Sequence, residues 1–125
     1  IENLINTWLA AAQAQLRVTG ALGRLEEGLR KAKEMGDRLG EGEILVHRAV
    51  ILASQEKPDW EAAWRDLEES AEILERVEAR PYLARTLIEH ARLLRWAGRF
   101  EESEEQSRRA AELYREMGIS PPNDG

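Results

Sequence analysis

Five arginines, Arg80, Arg85, Arg92, Arg95 and Arg99, fall within a stretch whose only acid is Glu89. A guanidinium is a planar fork of donors that can grip a carboxylate or a phosphate through two bonds at once. This cluster is therefore the chain's densest source of anion recognition, and Trp96 beside it offers a ring face for stacking. The plainer alternative is that Arg85, Glu89 and Arg92 pair at helical spacing and merely balance acidic neighbours. The other reactive residue types argue against chemistry beyond binding. Cysteine is absent, which removes disulfides, thiolate metal ligands and thiol nucleophiles. His47 and His90 each lack a second histidine three or four positions away, so the helical zinc spacing is missing. The carboxylate pairs Glu68-Glu69, Glu101-Glu102 and Glu104-Glu105 are expected on solvated helix faces, whereas carboxylates that do acid–base work need burial or a charged partner. No phosphate loop, dinucleotide fingerprint, nucleophile elbow or calcium loop occurs. The chain is read as a non-enzyme that needs no metal or cofactor.

Charge and composition narrow the partner. The formal charge is -6, which repels nucleic acid and anionic membranes. The segment 59–78 holds eight acids against Arg65 and Arg76, and 101–116 holds six against Arg108, Arg109 and Arg115. Nucleic acid is disfavoured, because one arginine-rich segment between acidic ones is not a broad basic surface. No apolar run approaches the ~18 residues of a membrane span. The opening Ile1-Glu2-Asn3-Leu4 carries no secretory pattern, and its lack of Met, with a start in or just before a helix, suggests a piece cut from a longer protein; the absence of cysteine fits a reducing, cytoplasmic interior.

Positioning these side chains falls to helices. Apolar residues recur at helical spacing in six segments, near 3–18, 22–35, 38–54, 59–77, 81–97 and 100–117. The first carries Leu4, Trp8, Leu9, Ala12 and Leu16, and Thr19-Gly20-Ala21 is expected to end it. The second carries Leu22, Leu25, Leu29 and Ala32 before a stop at Gly36. Pro58-Asp59 breaks and caps, Pro81 opens a helix, and Gly98 and Gly118 end two more. No segment alternates with a period of two, so strands are not expected.

The later half of the chain repeats the middle. Leu45, Ala49 and Leu52 recur 42 positions on as Leu87, Ala91 and Leu94; Trp60, Ala63, Ser70 and Leu74 recur 40 positions on as Phe100, Ser103, Ala110 and Tyr114. Each copy reads as a helical hairpin, and such hairpins bury their apolar faces only by stacking. In size and polarity the pattern resembles the tetratricopeptide repeat. Leu87, Ala91 and Leu94, the turn Gly98-Arg99-Phe100, then Ser103, Ala110 and Ala111 carry the resemblance best. Ala49, Trp60, Ala63, Ser70 and Ala71 carry it in the earlier copy, which departs by having Pro58-Asp59 at its turn. Leu9, Leu16, Leu29 and Ala32 carry it most weakly. The roughly 40-residue period is similar to long repeats in the regulatory arms of bacterial signalling proteins.

The resemblance implies an all-α, right-handed superhelical stack of three antiparallel helix pairs, an α-solenoid over 1–118 with pairs at about 3–36, 38–78 and 81–118, and a flexible tail at 119–125. It implies that Trp60 and Phe100 pack beside their turns, and that the first helix of each pair lines a concave groove. The partner-binding residues would be Arg85, Ile88, Arg92, Arg95 and Trp96, with Val46 and Val50 beside them. Glu43, Ala53 and Ser54 would flank these, and Thr7, Ala10, Ala14, Arg17 and Val18 would extend the groove. The expected function is a protein–protein interaction scaffold that holds an acidic peptide or partner segment. The alternative is self-association into a homodimer through apolar ends near 1–8 and around Leu113, Tyr114 and Met117.

Overall fold

The computed structural model describes residues 2–121, with side chains from residue 5 onward. Five helices follow one another: α1 (Glu2–Met35), α2 (Arg38–Ala53), α3 (Trp60–Arg76), α4 (Arg80–Trp96) and α5 (Phe100–Met117). No strand occurs among the described residues, so the chain is all-α as expected. No helix is long and apolar enough to cross a membrane.

The helix ends follow from local chemistry. The Asp37 carboxylate accepts from Gly40 N at 2.9 Å, and Asp59 accepts from Ala62 N at 3.2 Å. Each satisfies a backbone donor left over at a helix start. Pro81 sits in the first turn of α4, where its missing N–H removes no bond. At Gly118 the backbone turns left-handed (φ 69°), and Ile119 N then bonds back to Tyr114 O.

The N-terminal part departs from expectation. The two helices foreseen at 3–18 and 22–35 are one continuous helix, α1. Thr19-Gly20-Ala21 is not a turn; Thr19 Oγ1 bonds back to Gln15 O at 3.0 Å, as a threonine inside a helix does. Two glycines weaken a helix by about 1 kcal/mol each without removing any backbone donor, so they leave it unbroken where no proline intervenes. There are thus two helix pairs and a single long helix, not three pairs. The C-terminal half of α1 packs on α2, burying Leu29 and Ala32. Its N-terminal half stands clear. Trp8 is 69% exposed, Leu16 72%, Ile5 53% and Leu9 45%, so the apolar stripe of the expected first helix is not packed in a hairpin. Leu4's side chain and residues 122–125 of the expected tail lie outside the described part.

The two hairpins, α2–α3 and α4–α5, close on small residues. Ser70 Oγ donates to Gly42 O at 2.8 Å, and Ser103 Oγ donates to Ala91 O at 2.7 Å. A Cβ at Gly42 would lie 2.8 Å from Leu74 Cδ2, so only glycine permits this approach of α2 to α3. Between hairpins, Leu93 of α4 enters a pocket of Ala49, Ala53, Ala63 and Leu67. Leu83 and Leu87 meet Leu74 and Ala110. Leu29, Leu45 and Ile73 tie α1 to the first hairpin. Phe100 does not fill a gap beside its turn as expected; it is 61% exposed. Trp60 is half-buried against the Leu93 pocket.

Candidate functional site

The α2 and α4 helices run side by side and leave a cleft of about 440 Å³ between them. Val46 and Val50 of α2 and Ile88 of α4, all half-buried, supply apolar lining, with Arg85 and Arg92 along α4. These are five of the seven residues expected at a partner site, and one cleft brings them together. The helical repeat explains why: positions 85, 88 and 92 of α4 lie on one face, as do 46 and 50 of α2.

The other two lie elsewhere. Arg95 lines a second cleft, about 510 Å³, between α4 and α5, whose wall also includes Ile88 and Arg92. Trp96 lines neither; it is 59% exposed, with the Arg92 guanidinium carbon 5.5 Å from its ring centroid. Among the flanking candidates Glu43 lines the first cleft, whereas Ala53 is buried in the core and Ser54 Oγ donates to Val50 O. Thr7, Ala10, Ala14, Arg17 and Val18 belong to α1, which packs on α2 and does not reach α4.

The cleft's charge is mixed rather than basic. Glu43 and Glu89 line it along with the two arginines. Glu89 already holds Arg92 at 2.6 Å, so the helical-spacing alternative describes that residue. Arg85 has its guanidinium carbon 5.8 Å from the Tyr82 ring centroid and forms no ion pair among the described residues. Arg85 is therefore the cation available for a guest's anion. His47, exposed, also lines the cleft, and no group of three metal-binding side chains exists among the described residues.

Polar and aromatic contacts that sequence spacing does not reveal stiffen the two helices. Arg48 of α2 grips Asp66 of α3 through two bonds, 2.7 and 2.8 Å, with Asp66 buried. That bond raises the Arg48 pKa further above its ordinary value. At the place on α4 that repeats Arg48 stands His90. Its ring stacks on Trp64 at 5.6 Å, Trp64 stacks on Trp60 at 5.2 Å, and Arg99 covers Trp64 at 5.4 Å. Burial first, then the positive charges of Arg109 and Arg99, push His90 down to about 4, while Glu102 pulls the other way. The ring is neutral at neutral pH and acts as packing. The only sequence signal for this stack was the four-residue step from Trp60 to Trp64. Comparison of the chain with protein-family models, with curated proteins and with solved structures returns no match.

Proposed function

We propose that the chain is a binding scaffold, its hairpins stacked as tetratricopeptide-like repeats, and that the α2–α4 cleft holds a segment of a partner protein. It would serve this role within a larger cytoplasmic regulatory protein. Its task in this reading is recognition, not catalysis. The supporting observation is the pairing of an apolar floor, Val46, Val50 and Ile88, with an arginine, Arg85, that lacks an ion-pair partner among the described residues. Apolar pockets with a few placed polar groups are the usual form of a recognition site. The guest is a short amphipathic segment. Its apolar side chains cover the floor and one carboxylate meets Arg85, where a bidentate bond adds direction as well as strength. Glu43 and Glu89 limit the guest to few acids, since a second carboxylate would meet like charge.

The test is selection from a random peptide library on the immobilised chain. Enriched peptides should combine two or three apolar residues with an acid. Arg85→Glu, an exposed substitution, should replace that acid by Lys or Arg and weaken the original peptides roughly tenfold or more. No enrichment, or the same consensus on a normally folded Arg85→Glu variant, rejects the reading.

A further inference from the structure

The cleft between α4 and α5 has a counterpart in the earlier hairpin, and there it is full. Five residues of α2 and α3 receive α4: Ala49, Ala53, Ala63 and Leu67 around Leu93, and Leu74 against Leu83 and Leu87. Moved forward by the repeat offsets of 42 and 40, they become Ala91, Arg95, Ser103, Ser107 and Tyr114. Every one of these lines the α4–α5 cleft. The cleft is thus a second copy of the seat that α4 occupies, shaped for the first helix of a hairpin.

The chain also carries an apolar helical stretch with no seat, the outer half of α1. Ile5, Leu9 and Leu16 of α1 keep the four- and seven-residue steps of Leu83, Leu87 and Leu94 in α4, and all three are exposed. From Asn3 to Leu16 the sequence holds no charged residue, so docking this segment desolvates no charge of its own. Polarity matches as well. The seat is more polar than its counterpart at Arg95, in place of Ala53, and at Ser107, in place of Leu67. In the same register the helix carries Gln15 where α4 carries Leu93, so an amide meets the polar patch, while Ile5 and Leu9 stand where Leu83 and Leu87 do. The helix cannot use its own seat. In its own molecule α1 packs against the first hairpin and reaches neither α4 nor α5, and the seat lies at the far end of the helix order, on α5.

We propose that residues 5–16 of one molecule dock into the α4–α5 cleft of a second copy of this chain. The contact is heterologous: arm of one, seat of the other. Two copies close it by exchanging arms, and otherwise it propagates head to tail. The arm and seat are separate from the α2–α4 groove apart from the shared wall of Ile88 and Arg92.

The experiment is sedimentation velocity of the 125-residue chain from low micromolar to millimolar concentration. The wild type should self-associate. Leu9→Asp in the arm and Ala111→Trp in the seat, both at exposed positions, should each raise the dissociation constant roughly a hundredfold or more. An equimolar mixture of the two variants should restore a one-to-one complex, because one keeps an intact seat and the other an intact arm. Circular dichroism checks that each variant is folded, and Ser107→Trp replaces Ala111→Trp should the latter disturb the hairpin. A wild type that stays monomeric overturns the proposal. So does a seat variant that associates like wild type, which would mean arms pairing with arms, or a mixture that fails to combine.

Discussion

His90 is the side chain whose neighbourhood makes the sharpest measurable demand. It is held between Trp64 and the positive charges of Arg99 and Arg109, and its pKa falls to about 4 from an ordinary 6.5. The unfolded chain therefore takes up a proton near 6.5, the folded chain only near 4. Stability from the neutral ring is complete above about pH 6.5 and is lost progressively as pH falls toward about 4. The ring is half-buried, and the solvent that reaches it screens the effect, so we expect a loss of about 1 to 2 kcal/mol between about pH 7 and pH 5. Urea unfolding at the two pH values measures it. His90→Phe, which keeps an aromatic partner for Trp64, should remove most of the loss in that window; an unchanged loss would place its origin in other groups. Neither this stack nor the Arg48–Asp66 clasp could be read from the sequence in full. Arg48 and Asp66 are 18 positions apart, and what joins them is the crossing of α2 over α3 rather than any spacing along one helix. The face holding Arg85, Ile88 and Arg92 was legible because a helix's own period decides it. That Glu43 and Glu89 share the cleft, and that Glu89 occupies Arg92, depends on how two helices are rotated against each other.

At the scale of elements, legibility followed the strength of the punctuation. Proline and capping aspartate gave sharp bounds to α3 and α4, and glycine with a left-handed backbone closed α5. Such residues act through local sterics and local bonds, so no neighbour is needed to interpret them. Gly20 and Gly23 are different. A glycine allows a turn but does not impose one, and with no neighbour to fold against, the backbone keeps its helical bonds through both. Exposure of the apolar stripe on α1 was invisible for the same reason, since a stripe declares an affinity for a partner and not its presence. The continuous helix makes a distinct prediction. A Cβ at Gly23 would meet nothing within 4 Å, and one at Gly20 would meet only Arg24 at 3.6 Å. Gly20→Ala with Gly23→Ala should therefore favour α1 by about 0.5 to 1 kcal/mol per site, seen as stronger far-UV ellipticity that persists to higher temperature. Were 19–22 instead a turn closing a third hairpin, the pair of alanines would lower stability and reduce cooperativity.

The whole molecule is a run of five helices in which α1 leans on the first pair and the first pair on the second, so stability should be graded along it rather than uniform. Its centre is the junction of α3 and α4. Leu93 is fully buried there among side chains from both hairpin helices, and Leu67 opposite it is equally buried. The acidic face of α3 and the arginines of α4 also place opposite charge on neighbouring helices. The ends are weaker: among the described helices α5 packs on α4 alone, and the outer half of α1 is almost entirely exposed. Hydrogen exchange at concentrations too low for self-association should run in that order. Amides of 5–18 exchange first, those of α5 next, and those of α3 and the middle of α4 last. Leu93→Ala removes the side chain that locks one hairpin to the other, and should cost about 2 to 5 kcal/mol through lost burial and the cavity left behind. Because the pocket it vacates belongs to α2 and α3 while Leu93 itself belongs to α4, both hairpins should weaken together, and the central amides should lose protection on either side of the junction by similar amounts. Loss confined to α4 and α5, with α2 and α3 unaffected, would show that the hairpins fold separately and that the groove between α2 and α4 is not held rigid by the array.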